Sequence, residues 1–281
     1  MIVVPVCCVM TVRADNAFGQ MLKQWRSQRN FSQLDLSLAS DVSQRHISFV
    51  ESGRSRPSRT MVLKLATVLE VPLRQRNKML TAAGFAPIYS EFDLSDPEVA
   101  PIRRALAFML RQQEPYPALV MDRYWNQIQA NRGAEQVISW LLADQSLPPE
   151  LSDRVNLTKL MLHPKGLRPY ITNWESVATH VIRRVYRECL EEQDEHAQRL
   201  FDELISYPTV HELWQAPAED SWHLPLLTVN FAKSGRQMSF FTTITTLGTP
   251  HDITLQELRL ECLFPADEAT EKQFQGGGRS G

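Results

Sequence analysis

The sequence predicts two domains of different class: an all-α domain of five short helices, followed by an α+β domain built on an antiparallel sheet. Three observations lead there. Between Ala17 and Ala83, apolar residues recur at helical spacing between tight connections. After Ser90, helical stretches mix with runs rich in β-branched and aromatic residues, and the charge divides unevenly between the two parts. At 281 residues, 43% of them hydrophobic, the chain is long enough to bury two cores.

In the first domain, expected over 15–89, Phe18, Met21, Leu22 and Trp25 have helical spacing and Asn30 marks a stop. Ser32 caps a second helix with Leu36 and Ala39 inward. Ser43 caps a third with Ile47 and Val50 inward and Gly53 as its C-terminal stop. Ser58 opens a fourth helix running to Glu70, and Pro72 sits in the first turn of a fifth that ends at Gly84. The stretch "SEFDLSDP", 90–97, is polar and aperiodic and reads as a linker.

The second domain is expected over 98–270. Helical spacing covers 98–113, 132–142 and 174–205, while "PALVMD", "WNQIQAN", "LPLLTVNFA", "QMSFFTTITTLG" and "ELRLECLFP" read as strands. The last three are separated by the turn-forming "KSGR" and "GTPHD", so they are expected as an antiparallel meander. The ends are expected to lie outside the fold. Residues 1–14 read as a flexible extension, with Met10 an alternative start, and 271–281 as a disordered tail closing in "GGGRSG".

Charge says which part meets a polyanion. Between Asp15 and Ala86 eleven basic side chains face five acidic ones, a net of +6; the whole chain carries -2, which leaves -8 for the rest. A basic module joined to an acidic one directs nucleic acid to the first domain. The third helix, "SQRHISFVE", explains how. At 100° per residue Ile47 and Val50 share one face, and Gln44, Arg45, Ser48 and Phe49 the opposite one. Such a helix suits a major groove, because Arg bonds guanine O6 and N7 bidentately, Gln bonds adenine N6 and N7, and Phe49 can meet a thymine methyl. Arg54, Arg56 and Arg59 follow on a loop and the next helix start, within reach of flanking phosphates.

Arg26, Ser32-Gln33, Leu36, Ala39, Val42-Ser43-Gln44, Ile47 and Glu51-Ser52-Gly53-Arg54 together resemble the helix-turn-helix of the lambda-repressor-like (XRE) regulators, over about residues 15–85. The resemblance implies that Gln33 touches the operator from the start of the second helix, that Ser43, Gln44, Arg45, Ser48 and Phe49 face DNA, and that Arg26 pairs with Glu51 to brace the fold. One departure is that Ser40-Asp41 replaces the usual glycine of the turn, so Asp41 is expected to adopt a left-handed conformation.

Downstream, "YPALVMDRYWNQIQANRGAE", "HPKGLRPYITNWESVA" and "LGTPHDITLQELRLECLFPAD" resemble the MmyB-like regulators, whose C-terminal domain is PAS-like. That resemblance implies a sheet folded over helices around an apolar pocket for a fatty-acid-like ligand. Trp125, Ile128, Leu227, Val229, Phe231, Phe240 and Leu260 would line the inside of such a sheet, as pocket wall or as plain core. Asn131 and Arg168 would either hold a carboxylate head by charge-assisted hydrogen bonds or act as structural caps.

Catalysis finds no support. The seven histidines form no HExxH or other metal spacing, "GGGRSG" lacks the lysine and strand-to-helix context of a phosphate loop, and no GxSxG occurs. Cys7 and Cys8 are adjacent while Cys189 and Cys262 are far apart, which suits a reducing cytoplasm rather than a disulfide scaffold. No segment after the first ten residues approaches the ~20 apolar residues of a membrane span. The expected protein is therefore a cytoplasmic, homodimeric, non-enzymatic regulator of transcription. Its partners would be a double-stranded DNA operator and a small apolar ligand, with no cofactor unless a bound fatty acid serves as one. The alternative is a DNA-binding adaptor or antitoxin-like protein whose second domain binds a protein.

Overall fold

The computed structural model describes residues 16–192, 194–216, 228–247 and 252–275. They fall into two compact units, one within 1–91 and 251–256, the other within 92–250 and 257–281. The first division lies inside the stretch read as a linker. The proposed extension 1–14 and Leu227 lie outside the described residues.

The first unit holds α1 (Ala17–Gln28), α2 (Gln33–Ser40), α3 (Gln44–Glu51), α4 (Arg59–Val68) and α5 (Leu73–Ala82). Local chemistry sets each boundary. Ser32 accepts from the Asp35 amide at 3.0 Å while Asp35 Oδ2 accepts from the Ser32 amide at 2.9 Å, a reciprocal capping box. Ser43 and Ser58 accept in the same way from the amides of His46 and Met61. Asn30 (φ 57°), Asp41 (φ 49°) and Gly53 (φ 77°) turn the chain in the left-handed region after α1, α2 and α3. Asp41 thus does what a glycine would do there.

Leu22, Leu36, Ile47, Leu65, Leu69 and Leu80 are fully enclosed in this unit's core, and each such side chain stabilises the fold by roughly 1.5–3 kcal/mol. One inward assignment is corrected: Ala39 is exposed, and Ser40 is buried instead. Leu36 and Ser40 are separated by four residues, and Ser40 tolerates burial because its hydroxyl donates to the Leu36 carbonyl at 2.5 Å. Gly19 lets α1 approach α3 closely, since a Cβ there would come within 2.4 Å of the Val50 carbonyl oxygen.

The second unit opens with a 3-10 turn at Pro97–Val99 and α6 (Ala100–Gln113), then β1 (Ala118–Met121) and β2 (Gln127–Ala130). The helices α7 (Arg132–Leu142), α8 (Pro149–Ser152), α9 (Leu157–Leu162), α10 (Trp174–Glu192), α11 (Glu195–Ile205) and α12 (Val210–Gln215) follow. The chain returns in β3 (Thr228–Lys233), β4 (Arg236–Thr245), β5 (Arg259–Pro265) and α14 (Glu268–Gln275), while the short α13 (Ile253–Glu257) between β4 and β5 falls, up to Gln256, in the first unit. The five strands form one sheet in the order β2-β1-β5-β4-β3, with every neighbouring pair antiparallel. This is the expected α+β class.

Two expectations change. The single helix read over 174–205 is broken: Asp194 caps α11 by accepting from the His196 amide at 2.8 Å, and its other oxygen takes Arg123 NH2 at 2.7 Å and the Tyr124 hydroxyl at 2.6 Å. Of the stretch 271–281 read as a tail, 276–281 lie outside the described residues and the rest is helical. Residues 271–275 complete α14, whose Phe274 is buried against Tyr116 and Phe240 at ring-centroid distances of 5.6 and 5.8 Å.

Register defines the sheet's two faces. Leu119 pairs with Glu261, Thr242 with Leu263, and Phe231 with Met238, which places these residues on one face. That face meets α7 and α9. Val120, Leu260 and Cys262 are buried on the other. Both faces of the central strand β5 are therefore covered.

Candidate functional site

The exposed surface of α3 is set from within. Ile47 and Val50 root the helix in the core, leaving Ser43, Gln44, Arg45 and His46 exposed and Ser48 and Phe49 half-buried. Arg45 and Arg54 both lie against the Phe49 ring, their guanidinium carbons 5.2 and 6.0 Å from its centroid. Cation–π attraction thus gathers two positive groups around one aromatic plate. The amides of Arg54 and Ser55 donate to the Phe49 carbonyl at 2.7 and 3.2 Å, which folds the chain back at the end of α3. Exposed Arg54, Arg56 and Arg59 follow directly.

Behind this face Arg26 grips Glu51 with a fork, Nε to Oε1 at 2.7 Å and NH2 to Oε2 at 3.0 Å, and its NH1 donates to the Phe31 carbonyl at 2.8 Å. Gln33 joins them, its Nε2 donating to Glu51 Oε2 at 2.8 Å. The brace between Arg26 and Glu51 is therefore present, and it also holds Gln33 at the start of α2.

The second unit contains a cavity of about 50 Å³. Its walls are the inner sheet face (Leu119, Val229, Phe231, Thr242, Glu261, Leu263), α7 (Ala134, Val137, Ile138, Leu141), α9 (Leu157, Met161), and Pro117 and Leu167. All are apolar except Thr242 and Glu261. Glu261 is 6% exposed, and its Oε2 has no hydrogen-bond partner. Burial drives the Glu261 carboxyl above the usual range, opposed by Arg184, a Thr242 hydrogen bond and Arg259. Trp125 carries two guanidinium groups over its ring, Arg184 at 3.8 Å and Arg259 at 4.4 Å from the ring centroid. Glu188 takes the Trp125 indole N–H at 2.9 Å and Arg259 NH1 at 2.8 Å.

Of the residues expected around a ligand, Val229 and Phe231 line the cavity. The others do not. Trp125 and Phe240 are buried core, Ile128 is half-buried on β2, and Leu260 faces away from the cavity because it alternates with Glu261. Asn131 is the N-cap of α7: its oxygen accepts from the Ala118 and Ala134 amides, both at 2.9 Å, and its nitrogen donates to the Tyr116 and Leu110 carbonyls at 2.8 and 3.2 Å. Arg168 donates to the Pro208 carbonyl and the Thr209 hydroxyl at 2.7 and 2.8 Å and lies over Trp174 at 4.6 Å. Both act as structural ties. Glu261 and Thr242 were missed because a carboxylate and a hydroxyl within "FFTTITT" and "LECLF" read as the wet side of half-buried strands.

A basic helical unit with a polar helix face, joined to a sheet domain with an apolar pocket, defines a class: a DNA-binding head with a ligand-binding domain. Comparison with known families agrees. Residues 102–275 match the MmyB-like transcription regulator ligand binding domain, and residues 22–75 match a helix-turn-helix family. The chain belongs to the MmyB-like transcription regulators, and it is a DNA-binding transcription regulator with a ligand-binding domain. Both matched families are transcription-regulator domains rather than enzymes. No curated protein matches. One solved structure that does, "Structure of an RNA-binding Light-Oxygen-Voltage Receptor", is 13% identical with a TM-score of 0.27. The match covers 94% of this chain and 62% of that one, and at such a score it carries no argument. Among the described residues no helix is long and apolar enough to cross a membrane, and no group of three His, Cys, Asp or Glu side chains could hold a metal ion.

Proposed function

We propose that the protein binds a specific double-stranded operator as a homodimer and that its second unit senses a small apolar molecule. Gln44, Arg45, Ser48 and Phe49 read bases in the major groove, Gln33 and Ser43 meet the edge of the site, and Arg54, Arg56 and Arg59 hold phosphates. A single head offers few contacts, and two heads on half-sites about one helical turn (~34 Å) apart supply the rest. The observation that supports sensing is the apolar cavity between α7, α9 and the sheet.

At about 50 Å³ this cavity is smaller than the roughly 300–1,000 Å³ of ordinary ligand sites, so a chain of fatty-acid size enters only if its walls move apart. Ligand then favours a wider arrangement, and differential affinity for the two arrangements is the requirement for a switch. The test has two parts. Selection of bound duplexes followed by footprinting should yield a two-fold symmetric site, and mass spectrometry of an organic extract from the denatured full chain should yield a stoichiometric apolar species. Asymmetric protection would remove the dimer. An empty extract, together with no thermal shift across an aliphatic panel, would favour the adaptor whose second domain binds a protein.

A further inference from the structure

The apolar walls of the cavity leave the ligand's head group undetermined, and one wall residue bears on it. Glu261 projects from the central strand β5 into the lining, is 6% exposed, and keeps Oε2 without a hydrogen-bond partner. A buried carboxyl oxygen left open costs stability that an unremarkable core would not carry. Close by, Arg184 interacts electrostatically with Glu261, and its Nε is likewise buried and unpartnered. The open acceptor of Glu261 thus faces an apolar space, while Arg184 acts on it electrostatically without lining that space.

From this we infer that the cavity takes a neutral, hydroxyl-bearing apolar molecule, an aliphatic alcohol by class, whose hydroxyl meets Glu261. The inference rests on the apolar-sensing reading above and names the head group. Charge balance argues against a charged head group. Glu261 and Glu188 already face Arg184 and Arg259, so an ammonium would add an uncompensated buried charge. A carboxylate would lie against a carboxylate, or bind only with uptake of a proton. A hydroxyl needs neither, because it donates to an ionised Glu261 or accepts from a protonated one. This departs from the fatty-acid head that the family resemblance implies.

The experiment is calorimetric titration of the full chain with 1-decanol, decanoate and decyl methyl ether, on the wild type and on Glu261→Gln and Glu261→Leu. Retained operator binding and circular dichroism establish that each variant is folded. Decanol should bind about tenfold or more tightly than the other two, and Glu261→Leu should erase that preference, with Glu261→Gln intermediate because its amide still accepts. If Glu261→Leu does not fold, Thr242→Val, which removes the hydroxyl bonded to Glu261, should narrow the preference by a smaller factor. Equal binding of all three compounds, unaffected by the variants, would overturn the head-group assignment and leave apolar sensing intact. Preference for decanoate would do the same. If none of the three binds, apolar sensing itself falls, and this assignment with it.

Discussion

Glu51 and Glu261 are both buried carboxylates, 8% and 6% exposed, and they end differently. In the first unit both oxygens of Glu51 are engaged by Arg26 and Gln33; in the second, Oε2 of Glu261 is open. The helical unit closes its interior and displays exposed polar groups on α3 and beyond it. The sheet unit leaves polar atoms open inside, at Glu261 and Arg184. A partner met at an outer face can be long and polyanionic, whereas a partner met at an enclosed atom must be small.

The contrast can be broken most forcefully at the closed end. Glu51→Leu strands the Arg26 guanidinium in a buried site and should cost about 3–5 kcal/mol, read as loss of the first unit's unfolding transition in the full chain. A shift of a few tenths would mean that the brace is ornamental. Next comes the outer face: Arg45→Ala should cost ~1–3 kcal/mol of operator binding and relax the preference at one base position. If every duplex were bound as before, α3 would not be the reading helix. Arg54→Ala or Arg56→Ala should weaken all sequences similarly and lower the salt slope by about one, measured by titration across ionic strength.

The smallest effect belongs to the open end. Burial raises the Glu261 carboxyl in the folded state despite Arg184 and Arg259, so its contribution to stability is present below the ordinary carboxylate range and is lost as pH rises through the raised value. Melting of the wild type should therefore show a downward drift over that interval that Glu261→Gln lacks. Identical profiles would mean that Glu261 is held no differently from a solvated glutamate.

Much of the helical unit was legible because its signals are local. Ser32, Ser43 and Ser58 cap within three residues, and Asp41 takes the left-handed turn by itself. Ala39 misled because i+3 and i+4 spacing both fit a helix face, and the hydroxyl that lets Ser40 be buried bonds only once the helix exists. The cavity was legible only through Val229 and Phe231. β5 enters the sheet between β1 and β4, a placement that no local pattern encodes, and this covers both of its faces and turns Glu261 inward. Asn131 and Arg168 left two roles open, ligand grip or structural cap, and their hydrogen bonds hold the chain to itself.

The first unit is not a continuous piece of chain. Residues 252–256, which follow β4 and precede β5, belong with it: the Ile253 amide donates to the Ser90 carbonyl at 2.9 Å, and Gln256 Oε1 accepts from the Leu73 amide at the start of α5 at 2.7 Å. During synthesis the head therefore waits for nearly the whole polypeptide before its last hydrogen bonds close. A chain cut after residue 91 would carry the five helices of the head without these two hydrogen bonds.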